Sequence, residues 1–138
     1  MNRPQLCIPI FITLLLVGCA TAPIDITGAG TQLETRQIQT RSYGTLDKTM
    51  TMRSVIATLQ DLGFTIDQAD AELGTITATR LHAYTMRMTV TVVERNGERV
   101  SVRANARIGE NAVTDAATYQ DFFVVLDKAM FLTMNKVD

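Results

Sequence analysis

The sequence predicts an α+β fold in which about five antiparallel strands carry two helices on one face of the sheet, in the order β-α-β-β-β-β-α. Three patterns predict it. Met52, Val55, Ile56, Leu59 and Leu62 recur at helical spacing; Met86 to Val92 and Val100 to Ala106 alternate apolar with polar residues; and Tyr119, Phe122, Phe123, Leu126, Ala129 and Met130 form a second helical stripe.

Taken in chain order, the first strand is expected over 36–43, where Ile38 alternates with polar neighbours and Tyr43 falls off that parity. After the turn at Gly44, Asp47 is placed to cap the first helix, and Gly63 suits the left-handed residue just past its end. Phe64 and Ile66 then alternate with Thr65 and Asp67, a turn runs through 70–74, and Ile76 and Ala78 alternate with Thr75, Thr77 and Thr79. Such a pattern is a hairpin. Residues 81–85 connect it to the next one.

In that second hairpin the apolar faces are Met86, Met88, Val90 and Val92 on one strand and Val100, Val102, Ala104 and Ala106 on the other, with Asn96-Gly97 between them. A two-residue turn at Asn96-Gly97 would set Val92 opposite Ser101, apolar face against polar face, so the pattern rejects that register. A three-residue loop Arg95-Asn96-Gly97, with Gly97 left-handed in a bulge, sets Val92 opposite Val100, Val90 opposite Val102 and Met88 opposite Ala104. The same parity collects Arg87, Thr89, Thr91 and Val93 with Arg99, Ser101, Arg103, Asn105 and Arg107 on the opposite face. Threonine suits a strand and arginine suits water, so a solvated face is one reading. Arginine's planar fork also pairs carboxylates and phosphates, so Arg87, Arg99, Arg103 and Arg107 form a candidate docking face for lipid phosphate or an acidic protein patch.

The last helix is expected from Thr114 or Asp115 to about Thr133, its aromatic stripe covering the sheet. Val124, Val125, Phe131 and Leu132 widen the apolar surface beyond that stripe, enough to meet another chain or a lipid.

The N-terminus reads differently. Arg3 precedes an apolar run from Ile8 to Val17, shorter than a membrane-spanning helix requires, ending in Leu16-Val17-Gly18-Cys19. These four residues resemble the lipobox of bacterial lipoproteins, and the resemblance implies cleavage before Cys19 and acylation of its thiol. Cys7 would leave with the signal peptide (1–18), so Cys19 becomes the single cysteine of the mature chain and a disulfide framework is excluded. Two or three acyl chains anchor a protein stably where one does not. Ala20 is unlike the aspartate that retains enterobacterial lipoproteins in the inner membrane, so the resemblance implies the periplasmic face of the outer membrane. Residues 19–34 are small, polar and Gly/Pro-punctuated, as in a flexible tether, leaving 35–138 for the globular domain. About 120 mature residues suffice for one domain. With 13 Lys and Arg against 14 Asp and Glu in no long block of one sign, bulk attraction to nucleic acid is not indicated.

The run of a helix followed by Leu62-Gly63-Phe64-Thr65-Ile66-Asp67-Gln68-Ala69-Asp70 and Leu73-Gly74-Thr75-Ile76-Thr77-Ala78 resembles the helix-grip domain of the lipoprotein C subunit of the outer-membrane β-barrel assembly machinery, over 36–107. That family has two such domains and a long partner-binding N-terminal segment; this chain has one domain and a short tether. Small single-domain lipoproteins of Gram-negative bacteria are similar in size as well. The resemblance implies a helix-grip fold and a place in the cell envelope, without a mechanism.

No catalytic constellation stands out. His82 lacks a metal-ligand context, Ser42, Ser54 and Ser101 lack a nucleophile elbow, and Ser54 is expected on a helix surface. Gly28-Ala29-Gly30 lies outside any strand-to-helix turn, and Asp67, Asp70 and Glu72 fit turn chemistry better than a cation loop. No enzyme activity, cofactor or metal is therefore expected. The expected function is that of a non-catalytic accessory or scaffold subunit of an envelope complex, held to the membrane through lipid on Cys19 and meeting an envelope protein partner. The alternative is a binder of an apolar small molecule or lipid between the C-terminal helix and the sheet, suggested by Met86 and Met88 on the inner face.

Overall fold

The alternation through 86–106 is realised as the centre of an antiparallel sheet in the computed structural model, which describes residues 26–135 apart from Leu46. The elements are α1 (Ile26–Ile38), β1 (Thr40–Tyr43), α2 (Lys48–Asp61), β2 (Thr65–Asp70), β3 (Thr75–Leu81), β4 (Thr85–Arg95), β5 (Arg99–Ile108), β6 (Asn111–Ala112) and α3 (Ala116–Asn135). The strands lie in the order β1-β5-β4-β3-β2, with β6 also on β5. The fold is α+β and single-domain. The expected signal peptide and Cys19 lie outside the described residues.

Local chemistry sets the ends of α2. Asp47 caps it, its Oδ1 accepting from the Met50 amide at 2.7 Å. At the other end Gly63, at φ +80°, donates to the Gln60 carbonyl at 2.9 Å and Phe64 donates to the Leu59 carbonyl at 2.9 Å. That pair of bonds is the Schellman motif, and it drops Phe64 into the core. Asp115 starts α3 in the same way, accepting from the Thr118 amide at 3.1 Å.

One face of the sheet is dry. Ile76, Ala78, Met86, Met88, Val90, Val92, Val100, Val102, Ala104 and Ala106 are buried there against Val55 and Leu59 of α2 and Tyr119, Phe122, Phe123, Leu126 and Met130 of α3. Phe122 and Phe123 meet edge to face, ring centroids 5.1 Å apart.

Three expectations need correction. Residues 26–34 were expected as irregular tether, yet they belong to α1, which also takes Ile38, so β1 begins only at Thr40. Tyr43 pairs with Val100 and lies on the inner side with Arg41, so the parity counted from Ile38 does not apply. The β4–β5 register differs by two residues: Val92 faces Val102, Val90 faces Ala104 and Met88 faces Ala106. Asn96 and Gly97 both take positive φ, 55° and 64°, as an Asn-Gly turn demands. Glu98, donating to the Arg95 carbonyl at 3.2 Å, is the extra residue that restores the parity. The loop has three residues as expected, placed one position later.

β2 is an edge strand with a bulge between Ile66 and Gln68. The other side of the sheet is assembled from pieces. β5 pairs with β1 over Val100–Arg103 and with β6 at Arg107 and Ile108. In the gap between them the Ala104 amide donates to the Gln39 carbonyl at 2.9 Å, the Ala106 amide to the Tyr119 hydroxyl at 3.1 Å, and the Ala106 carbonyl accepts from Val113 at 2.9 Å.

Candidate functional site

Because the helices cover only the inner face, the outer face of β3, β4 and β5 is bare. It follows from strand parity alone: Thr75, Thr77 and Thr79 on β3, Arg87, Thr89, Thr91, Val93 and Arg95 on β4, and Arg99, Ser101, Arg103, Asn105 and Arg107 on β5. The four arginines expected there are all present and exposed. A fifth, Arg95, expected in the hairpin loop, continues the parity of Arg87 and stands on the same face. Its signal in the sequence is the two-residue count from Arg87 through Thr89, Thr91 and Val93.

The observed register pairs these cations in a way the expected one did not. Arg87 is directly opposite Arg107, and Arg95 directly opposite Arg99, while Arg103 faces Thr91 on one side and Thr40 on the other. Like charges directly opposite destabilise an antiparallel pair. One of the four charges is partly met: Arg107 Nη2 donates to the Glu110 carbonyl at 2.8 Å and lies 3.5 Å from its carboxylate. The floor between the guanidinium groups is hydroxyl-rich, with Thr77 opposite Thr89, Thr75 opposite Thr91, and Ser101 opposite Val93. Carboxylates on this side belong to β2 and the loops. Asp67 accepts from Thr79 Oγ1 at 2.6 Å, and Asp70 accepts from the Leu73 amide at 2.8 Å. Both are turn and edge contacts.

Shallow open depressions mark the arginines. One of about 300 Å³ is lined by Thr85, Arg87, Arg107, Gly109 and Glu110. Another of about 340 Å³ surrounds Arg103 with Thr40, Thr91, Ser101 and Asn105. Where α3 meets the sheet, by contrast, side chains fill the space, and the depression touching Met86, Met88 and Phe64 holds about 70 Å³.

On the helix layer, α3 leaves a second bare surface. Val124, Phe131, Leu132 and Met134 are exposed, Val124 at 58% and Phe131 at 64%. Sequence periodicity anticipated Val124, Phe131 and Leu132 there.

The remaining candidates are dispersed. His82 is exposed in the β3–β4 connection, its amide donating to the Tyr84 carbonyl at 3.3 Å. Ser42 and Ser101 sit on the outer sheet face. Ser54 is buried and donates to the Met50 carbonyl at 3.1 Å, correcting the expectation of a surface residue. It belongs to a small polar side of α2, with Thr51 and Thr58, that the sequence pattern did not reveal. Among the described residues no three His, Cys, Asp or Glu side chains converge as metal ligands.

A partly buried cluster joins the edge strand to α3. The Asp127 carboxylate accepts from Arg41 Nη1 and from the Tyr43 hydroxyl, the latter at 2.8 Å. Arg41 also lies over the Phe123 ring, 4.8 Å from its centroid. Burial, and then the bond to Asp127, push the Tyr43 phenol well above its ordinary range.

No family model matches this chain, and no curated protein is significantly similar to it.

Proposed function

We propose that the chain is a membrane-anchored periplasmic lipoprotein acting as a non-catalytic accessory or scaffold subunit of a cell-envelope complex. One observation carries the reading: among the described residues, two bare surfaces lie on opposite layers, an arginine-studded sheet face and the apolar flank of α3. Two docking surfaces back to back suit a protein that holds one component against another. Large apolar side chains gathered in the open mark interaction sites, and arginines spaced over a flat face favour an anionic partner. The lipobox supports the anchor, which holds the domain at the outer membrane's periplasmic face.

The reading is tested in intact membranes with a photocrosslinker placed at Val124 on α3 and, separately, at Asn105 in the middle of the arginine face. Covalent adducts are expected from both positions, with an envelope protein at Val124. A lipidated chain that yields no adduct at either position would overturn the proposal.

A further inference from the structure

The scaffold reading leaves open what the arginine face meets, and the geometry points to one occupant. We propose that the outer face of β3–β4–β5 lies flat on an anionic membrane surface, its guanidinium groups paired with headgroup phosphates. This rests on the reading of the chain as a membrane-anchored scaffold.

Spacing supports a plane rather than a point. Arg99, Arg103 and Arg107 lie four residues apart on one strand, so they span about 27 Å along β5 at a rise of ~3.4 Å per residue. Arg87 and Arg95 bracket the same length on the neighbouring strand. A single carboxylate or a small ligand could relieve one of the like-charge pairs, at Arg87–Arg107 or at Arg95–Arg99. A continuous layer of anions relieves both and engages Arg103 between them.

The surroundings agree. The side chains between the arginines are mostly threonine, serine and asparagine, short enough that the guanidinium groups stand above them, and a groove of about 680 Å³ opens beside Arg103 toward α1. Five of the chain's 13 cationic residues stand on this face although its net charge is −1, so the domain is electrically lopsided. A lopsided charge orients a protein at a charged surface even when its total charge does not attract it. Acids sit at the margins of the face: Asp67 and Asp70 on the β2 edge, Glu98 at the hairpin tip, Glu110 beside Arg107, and Glu34 of α1, which lines that groove with Arg103. Chain length is also permissive. Only six residues separate Cys19 from α1, a reach of at most about 25 Å, so a lipidated Cys19 keeps the start of α1 close to the bilayer.

The test uses the mature-length chain, 19–138, with Cys19→Ser so that no acyl chain contributes, mixed with vesicles of phosphatidylglycerol and phosphatidylcholine. Co-sedimentation is expected with phosphatidylglycerol present, and not with phosphatidylcholine alone or in ~0.5 M salt. Arg103→Glu with Arg107→Glu should weaken binding at least about tenfold, because each cation near an anionic leaflet contributes to the attraction and each reversal adds repulsion. The control pair Arg53→Glu with Lys128→Glu, exposed on the helices, should bind as the parent does. Circular dichroism confirms that each variant is folded. Wild-type protein that ignores phosphatidylglycerol vesicles, or binding that survives the Arg103/Arg107 reversal, overturns the membrane proposal. If the vesicles are ignored while the Asn105 crosslinker captures an acidic protein, the face is a protein interface; the scaffold reading then stands and this one falls.

Discussion

The hydroxyl of Tyr43 donates to Oδ1 of Asp127 at 2.8 Å, tying the edge strand β1 to the middle of α3 across 84 positions of sequence. Because burial and the neighbouring carboxylate both oppose the phenolate, its folded-state pKa lies above the ordinary 10.0. The stability this lends is complete below pH 10 and is lost as pH rises toward the folded-state value. Alkaline titration of tyrosine absorbance should therefore show the same ionisation amplitude near pH 10 in wild type and Tyr43→Phe. A smaller amplitude in the variant would mean that the phenol is free.

Tyr119 should be far more sensitive than an ordinary buried tyrosine. Its hydroxyl accepts from the Gln39 side chain and from the Ala106 amide, both at 3.1 Å, and donates to the Val113 carbonyl at 2.6 Å. Tyr119→Phe keeps the ring and strands these buried groups, so urea unfolding should show a loss of ~2–4 kcal/mol. A loss under about 0.5 kcal/mol would show that the groups find other partners.

Two glycines separate steric from conformational cost. Gly74 and Gly97 both have positive φ, but an added Cβ at Gly74 would collide with the Val92 carbonyl oxygen, whereas at Gly97 it meets nothing. Gly97→Ala is expected to cost about 1 kcal/mol and Gly74→Ala at least ~3 kcal/mol, since the latter must also displace β4. Equal melting temperatures for the two variants would contradict the close approach at Gly74.

Phe122 is completely buried between α3 and the sheet. Phe122→Ala should lower stability by ~3–5 kcal/mol, read from urea unfolding; under 1 kcal/mol would mean that α3 does not cap this core.

Reversing Arg103 and Arg107 together should leave folding nearly untouched, within roughly 0.5 kcal/mol per site, because both are exposed and screened by water. Denaturation curves of the double variant displaced well beyond that would show that the face has a structural role within the domain.

Much of this was readable from the chain, and the misses have physical causes. The limits of α2 follow from Asp47 and Gly63, whose side-chain and backbone chemistry act within a few residues. The faces of β4 and β5 follow from alternation. Their register does not, because a shift of two residues leaves every side chain on its own face, so the apolar pattern fits Val92 against Val100 as well as against Val102. Charge would have argued for the wrong answer, since the true register sets Arg87 against Arg107. Helix α1 escaped because Gly28-Ala29-Gly30 is a poor helix sequence without an apolar stripe. The Tyr43–Asp127 contact and the gap-filling role of Tyr119 join positions too far apart for any local pattern to announce. The arginine face was visible as a face; its pairing into like-charged couples was not, and neither was the membership of Arg95.

The irregularity in β2 has a bearing on how these molecules behave when crowded. An exposed strand edge invites a neighbouring chain to continue the sheet, and growth of that kind ends in fibrils. Here the edge is only six residues long, is broken by the bulge between Ile66 and Gln68, and carries Asp67 and Asp70. Two copies brought edge to edge would meet mismatched hydrogen-bond spacing and mutual carboxylate repulsion. The opposite edge is discontinuous, with four residues in β1 and two in β6. Molecules gathered densely on a surface can therefore slide past one another without zipping into a common sheet.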